Sequence, residues 1–447
     1  MLLYTTIASS RLQYTISLIE SIIGQQIIIT TDKEYFLQAE AVKINYSAER
    51  IATNEYHIIP HTLLFSTNVI PTDITVSECR NNPCFFTHQD DHGFDVFAAI
   101  FYLISRYEEY LPHQKDMYGR YAHTNSLAYQ HNFLDKPLVN YWINDLLQQL
   151  STVYRLPSTE LAPLSSKLTT YNLQLTTAFS FTPTYDIDIA FAYNHQSIVK
   201  NIGGFFKDLL KADIEKVIER ASVYSGTKQD PFDTYKWLDT LHKAHQLAPI
   251  YFFLLAKQKG IYDKNIPPSV HAMQNLVQQH AAIYSVGIHP SWQSGDNELL
   301  VKEEIDSIKK ITNKPCTISR QHYIRLTLPN TYRILIENGI TEDYSMGYGS
   351  INGFRASVAS PYYWYDLEKE AVTTLKLYPY CYMDANAFFE QHLSAEEALQ
   401  ELQYYHDTVK AVGGQLITIF HNHFLTEQPQ WKPWREMYRR FLGANFS

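Results

Sequence analysis

The sequence predicts an α/β protein: a distorted parallel (β/α)7 barrel preceded by a smaller mixed α/β domain. Three observations predict it. Seven short apolar runs alternate with amphipathic stretches over the last 270 or so residues. Apolar runs and helical periods in alternation imply strands joined by crossover helices, hence a parallel sheet. The first 170 residues lack this rhythm, and a polar stretch at 158–170 (STELAPLSSKLTT) reads as the linker between the two grains of sequence.

In chain order, MLLYTTIASSRLQYTISLIE reads as a short strand and an amphipathic helix. It has no basic segment before its apolar residues, unlike a secretion signal. Short apolar runs follow at 26–30 and 57–60. Residues 94–110 (FDVFAAIFYLISRYEEY) carry apolar positions at helical spacing, with a solvated acidic end at Glu108 and Glu109. A second helix is expected near 136–150. Domain boundaries are set at 1–170 and 175–447. The strand candidates of the second region are 178–191, 248–256, 282–289, 317–326, 340–348, 375–384 and 416–424. Helices are expected at 233–246, 270–280, 298–311, 331–338 and 395–412, and Gly339 and Gly413 mark helix ends as C′ glycines.

The stretch TPTYDIDIAF at 182–191 places two carboxylates, Asp186 and Asp188, two positions apart in an apolar strand. Alternation puts them on one face, and two like charges there are costly without a cation or a proton between them. In a parallel barrel, functional side chains gather at the C-terminal ends of strands. Polar, metal-capable residues recur at such ends: Asp186 and Asp188 on the first, His289 on the third, Arg320 and His322 on the fourth. Asp343 lies on the fifth, and His421 and His423 end the last. Each also has an ordinary reading. A strand-end Asp can cap a helix, a lone His can be a hydrogen-bonded core residue, and Asp343 can brace a turn. Arg355 can be a surface ion-pair partner. Tyr344, Phe354 and Trp364 can stack on sugar rings or pack the core.

TYDID resembles the first motif of the polysaccharide deacetylase family (the NodB-homology domain, carbohydrate esterase family four). GIHPSWQS at 287–294 is similar to its second motif, ISRQHY at 318–323 to its third, EDYSM at 342–346 to its Y-D-S-S-like strand and ITIFHNH at 417–423 to its last. The resemblance spans about 175–430. It implies a hydrolase removing N-acetyl groups from a carbohydrate with a divalent metal ion, usually Zn²⁺, which polarises the carbonyl and acidifies the attacking water. By the same resemblance Asp186 is the general base, His421 the proton donor to the leaving amine, and Asp188 and His289 are metal ligands. Arg320, or else Arg355, pairs with Asp186 and keeps it ionised. The family's second motif normally offers a second His, where Trp292 and Gln293 stand here. His322 is the candidate third ligand, with Ser291 or Gln293 as alternatives. Asp343, Tyr344, Arg355 and His423 are candidates for contact with the substrate. The missing His also admits a catalytically silent barrel that binds a glycan or a biosynthetic partner. Residues 94–121 resemble the uncharacterised domain that precedes such barrels in some bacterial proteins.

Composition bounds the partners. The chain has 447 residues, 45% of them hydrophobic and 19% charged, enough for a sizeable core. A net charge of −9 without a basic block argues against nucleic acid. No run of about 20 apolar residues is present, so no membrane span is expected. Cys79 and Cys84 have no second pair with which to form a zinc knuckle, and the four cysteines read as free thiols in a reducing, cytoplasmic setting.

Overall fold

The computed structural model describes residues 1–154, 178–196, 214–258 and 260–446; the expected linker at 158–170 lies outside them. The N-terminal region is built on a parallel sheet of order β2-β1-β3-β4, with β1 at Leu2–Thr5, β2 at Ile28–Thr30, β3 at Lys43–Tyr46 and β4 at Tyr56–Ile58. The helix Ser10–Ile23 joins β1 to β2. Ser9 caps its first turn by accepting from Leu12 N, and Gly24, at φ 65°, ends it in the left-handed conformation that glycine adopts without a Cβ penalty. A hairpin of β5 (Ser77–Cys79) and β6 (Asn82–Cys84) follows.

The helix expected over 94–110 is shorter. Asp95 caps a helix at Val96–Ile104 that is buried on every side, as its uninterrupted apolar sequence requires. Arg106 then takes a left-handed conformation (φ 55°), and Tyr107–Tyr110 form a separate 3-10 turn. The acidic end expected to be solvated is buried: Glu109 is 4% exposed, and it accepts hydrogen bonds from Arg106 Nε at 2.7 Å and from Arg355 Nε at 2.8 Å. Arg355, 1% exposed, is therefore a structural counter-ion and not a substrate contact.

In the second region the described residues form a nine-stranded sheet. Its strands are β7 (Ser180–Ile187), β8 (Ile250–Phe253), β9 (Ser285–Ile288), β10 (Ile318–Ser319), β11 (Glu342–Asp343), β12 (Tyr362–Asp366), β13 (Ala371–Leu377), β14 (Tyr382–Met383) and β15 (Gln415–His421). The order is β12-β13-β11-β10-β9-β8-β7-β15-β14, parallel throughout except for β12, which runs antiparallel to β13 and is an addition to the expected strands. β14 and β13 belong to one extended run. Past β13, Tyr378 N donates to Asp343 O (2.8 Å) and Tyr380 N to Met346 O (3.2 Å), before Tyr382 and Met383 pair with β15. Among the described residues, helices pack against the sheet. The longest, Ala395–Ala411, starts with a capping box between Ser394 and Glu397. Buried apolar residues of both regions form one connected cluster, from Leu3 and Phe101 to Trp364 and Phe441.

Strand register sets where the chemistry falls. Ile187, Phe253, Ile288 and Ser319 lie side by side in successive strands, and His421 of β15 faces Asp186 of β7. Asp188, His289 and Arg320 each stand one residue beyond that row, at the carboxyl end of the sheet, where open α/β sheets bind their ligands. Gly287 allows the close spacing, since a Cβ there would sit 2.7 Å from the Phe252 ring.

Candidate metal centre

A cleft of about 460 Å³ opens over this carboxyl edge, lined among others by Asp186, Asp188, His289, His322, His421 and His423. At its floor Asp186 Oδ1 accepts from Arg320 Nη1 at 2.8 Å. The guanidinium is fully buried, also donates to Thr184 Oγ1 (2.7 Å) and Tyr344 O (3.0 Å), and stacks on Phe252 with its carbon 4.3 Å from the ring centre. A planar, always-charged group held by three acceptors and a ring is well fixed. It supplies one of the cations that the paired aspartates require.

Asp188 meets three imidazoles. His289 Nε2 is 3.3 Å from its Oδ1, and His322 Nε2 and His421 Nε2 are 3.5 and 3.6 Å from its Oδ2. Each ring is oriented from behind through Nδ1: His289 to Arg320 O (2.6 Å), His322 to Asp263 Oδ1 (2.8 Å), His421 to Asp384 Oδ1 (2.6 Å). Hydrogen bonding at Nδ1 turns Nε2 toward the cleft, the arrangement by which a second shell fixes metal-ligating histidines.

The donor set fits a divalent cation. With Nδ1 turned to Arg320 O, His289 presents Nε2, an acceptor in the Nδ1-protonated tautomer, to the Asp188 carboxylate, and Asp188 Oδ1 is buried without a hydrogen-bond partner. Two acceptors so placed repel unless a proton or a cation lies between them. One ligand atom from each of Asp188, His289 and His322 fall within 4.8 Å of one another, the metal-capable group found among the described residues. In the metal-free protein protons serve instead. Burial disfavours the charged imidazole of His322, but Asp188 and Asp263 outweigh it and raise its pKa to about 9. Burial would likewise raise Asp188, yet His322, His289 and His421 hold it well below the usual carboxylate range. For His421 burial is outweighed by Asp384 and Asp188, and its pKa rises to about 10, so the ring is cationic at neutral pH.

The position of the missing second histidine is accounted for. Trp292 Nε1 donates to Tyr118 O and Gln293 Nε2 to Gln258 O, while Ser291 Oγ accepts from Ser294 N. His322 reaches Asp188 instead. It does so from a 3-10 turn at His322–Ile324, not from a strand face shared with Arg320, because β10 ends at Ser319. In that turn Tyr323 and Ile324 both have positive φ (58° and 54°), a strained conformation for bulky side chains of the kind that gathers at functional sites.

Among the substrate candidates only His423 lines the cleft; its ring centre is 5.4 Å from that of His421. Burial and the neighbouring His421 cation lower its pKa to about 3, so it is neutral. Asp343 is fully buried and accepts from Ser319 Oγ, Ser345 N and Ser345 Oγ, bracing the turn after β11. Tyr344, 3% exposed, stacks on Tyr378 at 4.5 Å, and Phe354 and Trp364 are core residues. Asp263 and Asp384 were absent from the candidates. Asp384 ends a predicted strand and so carried the same signal as His289; Asp263 lies in a loop with no periodic signature. Replacing Asp263 with alanine should weaken zinc binding about 10–100-fold with the fold retained. Calorimetric titration checks this, and an unchanged affinity would reject the orienting role.

Comparisons with known proteins give the following. A model described as a family of unknown function (DUF7033) matches residues 1–155. None of the curated proteins matches the chain. Solved structures that are similar include a presumed polysaccharide deacetylase from Mycobacterium smegmatis, at 13% identity and a TM-score of 0.38, covering 64% of this chain and 89% of that one. The allantoinase Puue aligns at 14% identity and a TM-score of 0.37, covering 60% and 83%. The polysaccharide deacetylase Bc1974 from Bacillus cereus aligns at 12% and 0.30, covering 60% and 88%. Among the described residues no helix is long and apolar enough to cross a membrane.

Proposed function

We propose that this chain is a metal-dependent hydrolase of the polysaccharide deacetylase type that removes N-acetyl groups from a carbohydrate. The observation that carries it is the convergence of Asp186–Arg320, Asp188–His289–His322 and His421–Asp384 on one cleft. The motif resemblance supports the same reading. Its volume lies in the ordinary range for small-ligand sites. We also propose that the run from β13 to β14 closes the parallel strands into a distorted seven-stranded barrel, and that residues 1–170 and 175–447 are its two domains.

Asp188, His289 and His322 would hold the ion, of which Zn²⁺ suits the nitrogen and oxygen donors best. When bound, it supplies a Lewis acid for the amide carbonyl and acidifies water. The remaining steps belong to the chain's own groups. Asp186, ion-paired with Arg320, takes a proton from the attacking water. His421, cationic beside Asp384, returns one to the departing amine nitrogen. The acid thus starts in the protonated state that a donor to the leaving amine needs. The silent-barrel alternative rested on the missing histidine, and His322 standing beside Asp188 supports the metal-dependent reading over it.

Acetate release from tri-N-acetylchitotriose by zinc-loaded protein tests the reading, together with the metal content of the wild type and of Asp188→Ala. The wild type should bind about one ion per chain and release acetate, and Asp188→Ala should do neither while keeping its circular dichroism. Equal metal content in the two would reject the ligand assignment. A metal-loaded wild type without acetate release would favour the silent barrel.

A further inference from the structure

The wall of the cleft is not built by the second region alone. Residues 116–120 form a tight turn organised by Asp116, whose carboxylate accepts from Tyr118 N (2.9 Å), Arg120 N (3.0 Å) and Arg120 Nε (2.6 Å). The turn is fastened to the loops beside the metal centre. Arg120 Nη1 donates to Gly349 O (2.7 Å) and Tyr323 O (3.2 Å), and Tyr118 O accepts from Trp292 Nε1 (2.9 Å). This brings the Tyr118 ring against two tyrosines of the second region. Tyr118, Tyr262 and Tyr323 have ring centres 4.9 to 5.4 Å apart in all three pairings. All three are partly exposed, stand outside the strands and α-helices, and line the same cleft as Asp188 and His322.

Three rings from three separate segments, left partly open to water above a reaction centre, are an unusual use of aromatic surface if packing were their only role. Their π faces carry negative charge density that attracts the slightly positive C–H groups on the apolar face of a pyranose, and stacking there removes both surfaces from water. The acidic chain, whose sequence has no block of basic residues, disfavours a nucleic acid as the occupant. We propose that Tyr118, Tyr262 and Tyr323 form a subsite for a sugar ring next to the one that carries the reacting amide, so that the N-terminal region selects linked sugars over a single one. The subsite rests on the reading of the cleft as a carbohydrate site, but it requires binding and not turnover.

The test is calorimetric binding of tri-N-acetylchitotriose and of N-acetylglucosamine to the full-length metal-free chain, with turnover recorded separately. The wild type should bind the trisaccharide more tightly than the monosaccharide. Tyr118→Ala should lower that ratio about tenfold, the size of one aromatic contact, and Tyr118→Phe should preserve it. Tyr262→Ala, which leaves the 116–120 turn untouched, should lower it similarly and guards against a local folding defect at Tyr118. A wild type without preference for the trisaccharide, or a ratio unchanged in both alanine variants, overturns the proposal. A wild type that shows the Tyr118-dependent preference but releases no acetate upholds the subsite and overturns the hydrolase reading instead.

Discussion

Asp186→Asn is expected to lower kcat about 10²–10⁴-fold, the usual worth of a positioned general base, without loss of metal. The two aspartates differ in surroundings although they are two residues apart. Asp186 Oδ1 is tied to Arg320 and its Oδ2 lies 3.6 Å from His289 Nε2, whereas Asp188 sits among three imidazoles with one oxygen unpartnered. Removing the Asp186 charge therefore leaves the metal-capable triad in place. It also leaves the buried guanidinium of Arg320 without its counter-ion, and an unpaired buried charge is strongly destabilising. The variant should accordingly unfold at a lower temperature. Measuring kcat well below that transition, with metal content determined on the same sample, separates the two effects. Unchanged turnover would remove Asp186 from the chemistry.

How much of this could be read from the sequence follows from the geometry of a parallel sheet. Asp188, His289 and Arg320 were recognisable because each stands in or just after an expected strand, and in-register strands turn that shared position into spatial proximity. Asp384 also ends an expected strand, although it was not among the candidates. The strand-end rule failed where proximity comes from loops. Asp263 reaches His322 from an irregular segment, and the turn bearing Tyr118 and Arg120 comes from the other region of the chain. No local pattern encodes such contacts. The rule also gave false candidates. Asp343 and Tyr344 lie at a strand end, but Ser319, Ser345 and Tyr378 absorb them. Arg355 and Glu109 were misread together, since a buried ion pair 246 residues apart leaves two charged residues that each look solvated in their own neighbourhood.

That pair carries the largest expected effect on stability. Glu109→Gln should cost about 3–5 kcal/mol, the range for breaking a buried charge pair by removing one partner. Glu109 bonds Arg355 through both oxygens and Arg106 through one, with all three side chains nearly inaccessible to water. Gln keeps the shape but offers one uncharged acceptor in place of a carboxylate, so the buried Arg355 loses its counter-ion while keeping its bond to Gly347 O (3.2 Å), and Arg106 retains Glu108. The fall in the midpoint of denaturant unfolding checks the magnitude. The pH dependence has a definite sign. Burial would raise the Glu109 pKa, but Arg355 and Arg106 outweigh it and hold it at about 2, below the ordinary 4.5. A carboxyl lowered by folding stabilises fully above its unfolded pKa, and that contribution is lost as pH falls from about 4.5 toward 2. The wild type should therefore lose stability across that window more steeply than Glu109→Gln. Because Arg355 belongs to the second region and Glu109 to the first, the variant should also loosen the seat of the 116–120 turn. The double variant Glu109→Leu/Arg355→Met, which removes both charges, should lose less than the sum of the single changes. A strictly additive loss would show that the two side chains do not act as a pair.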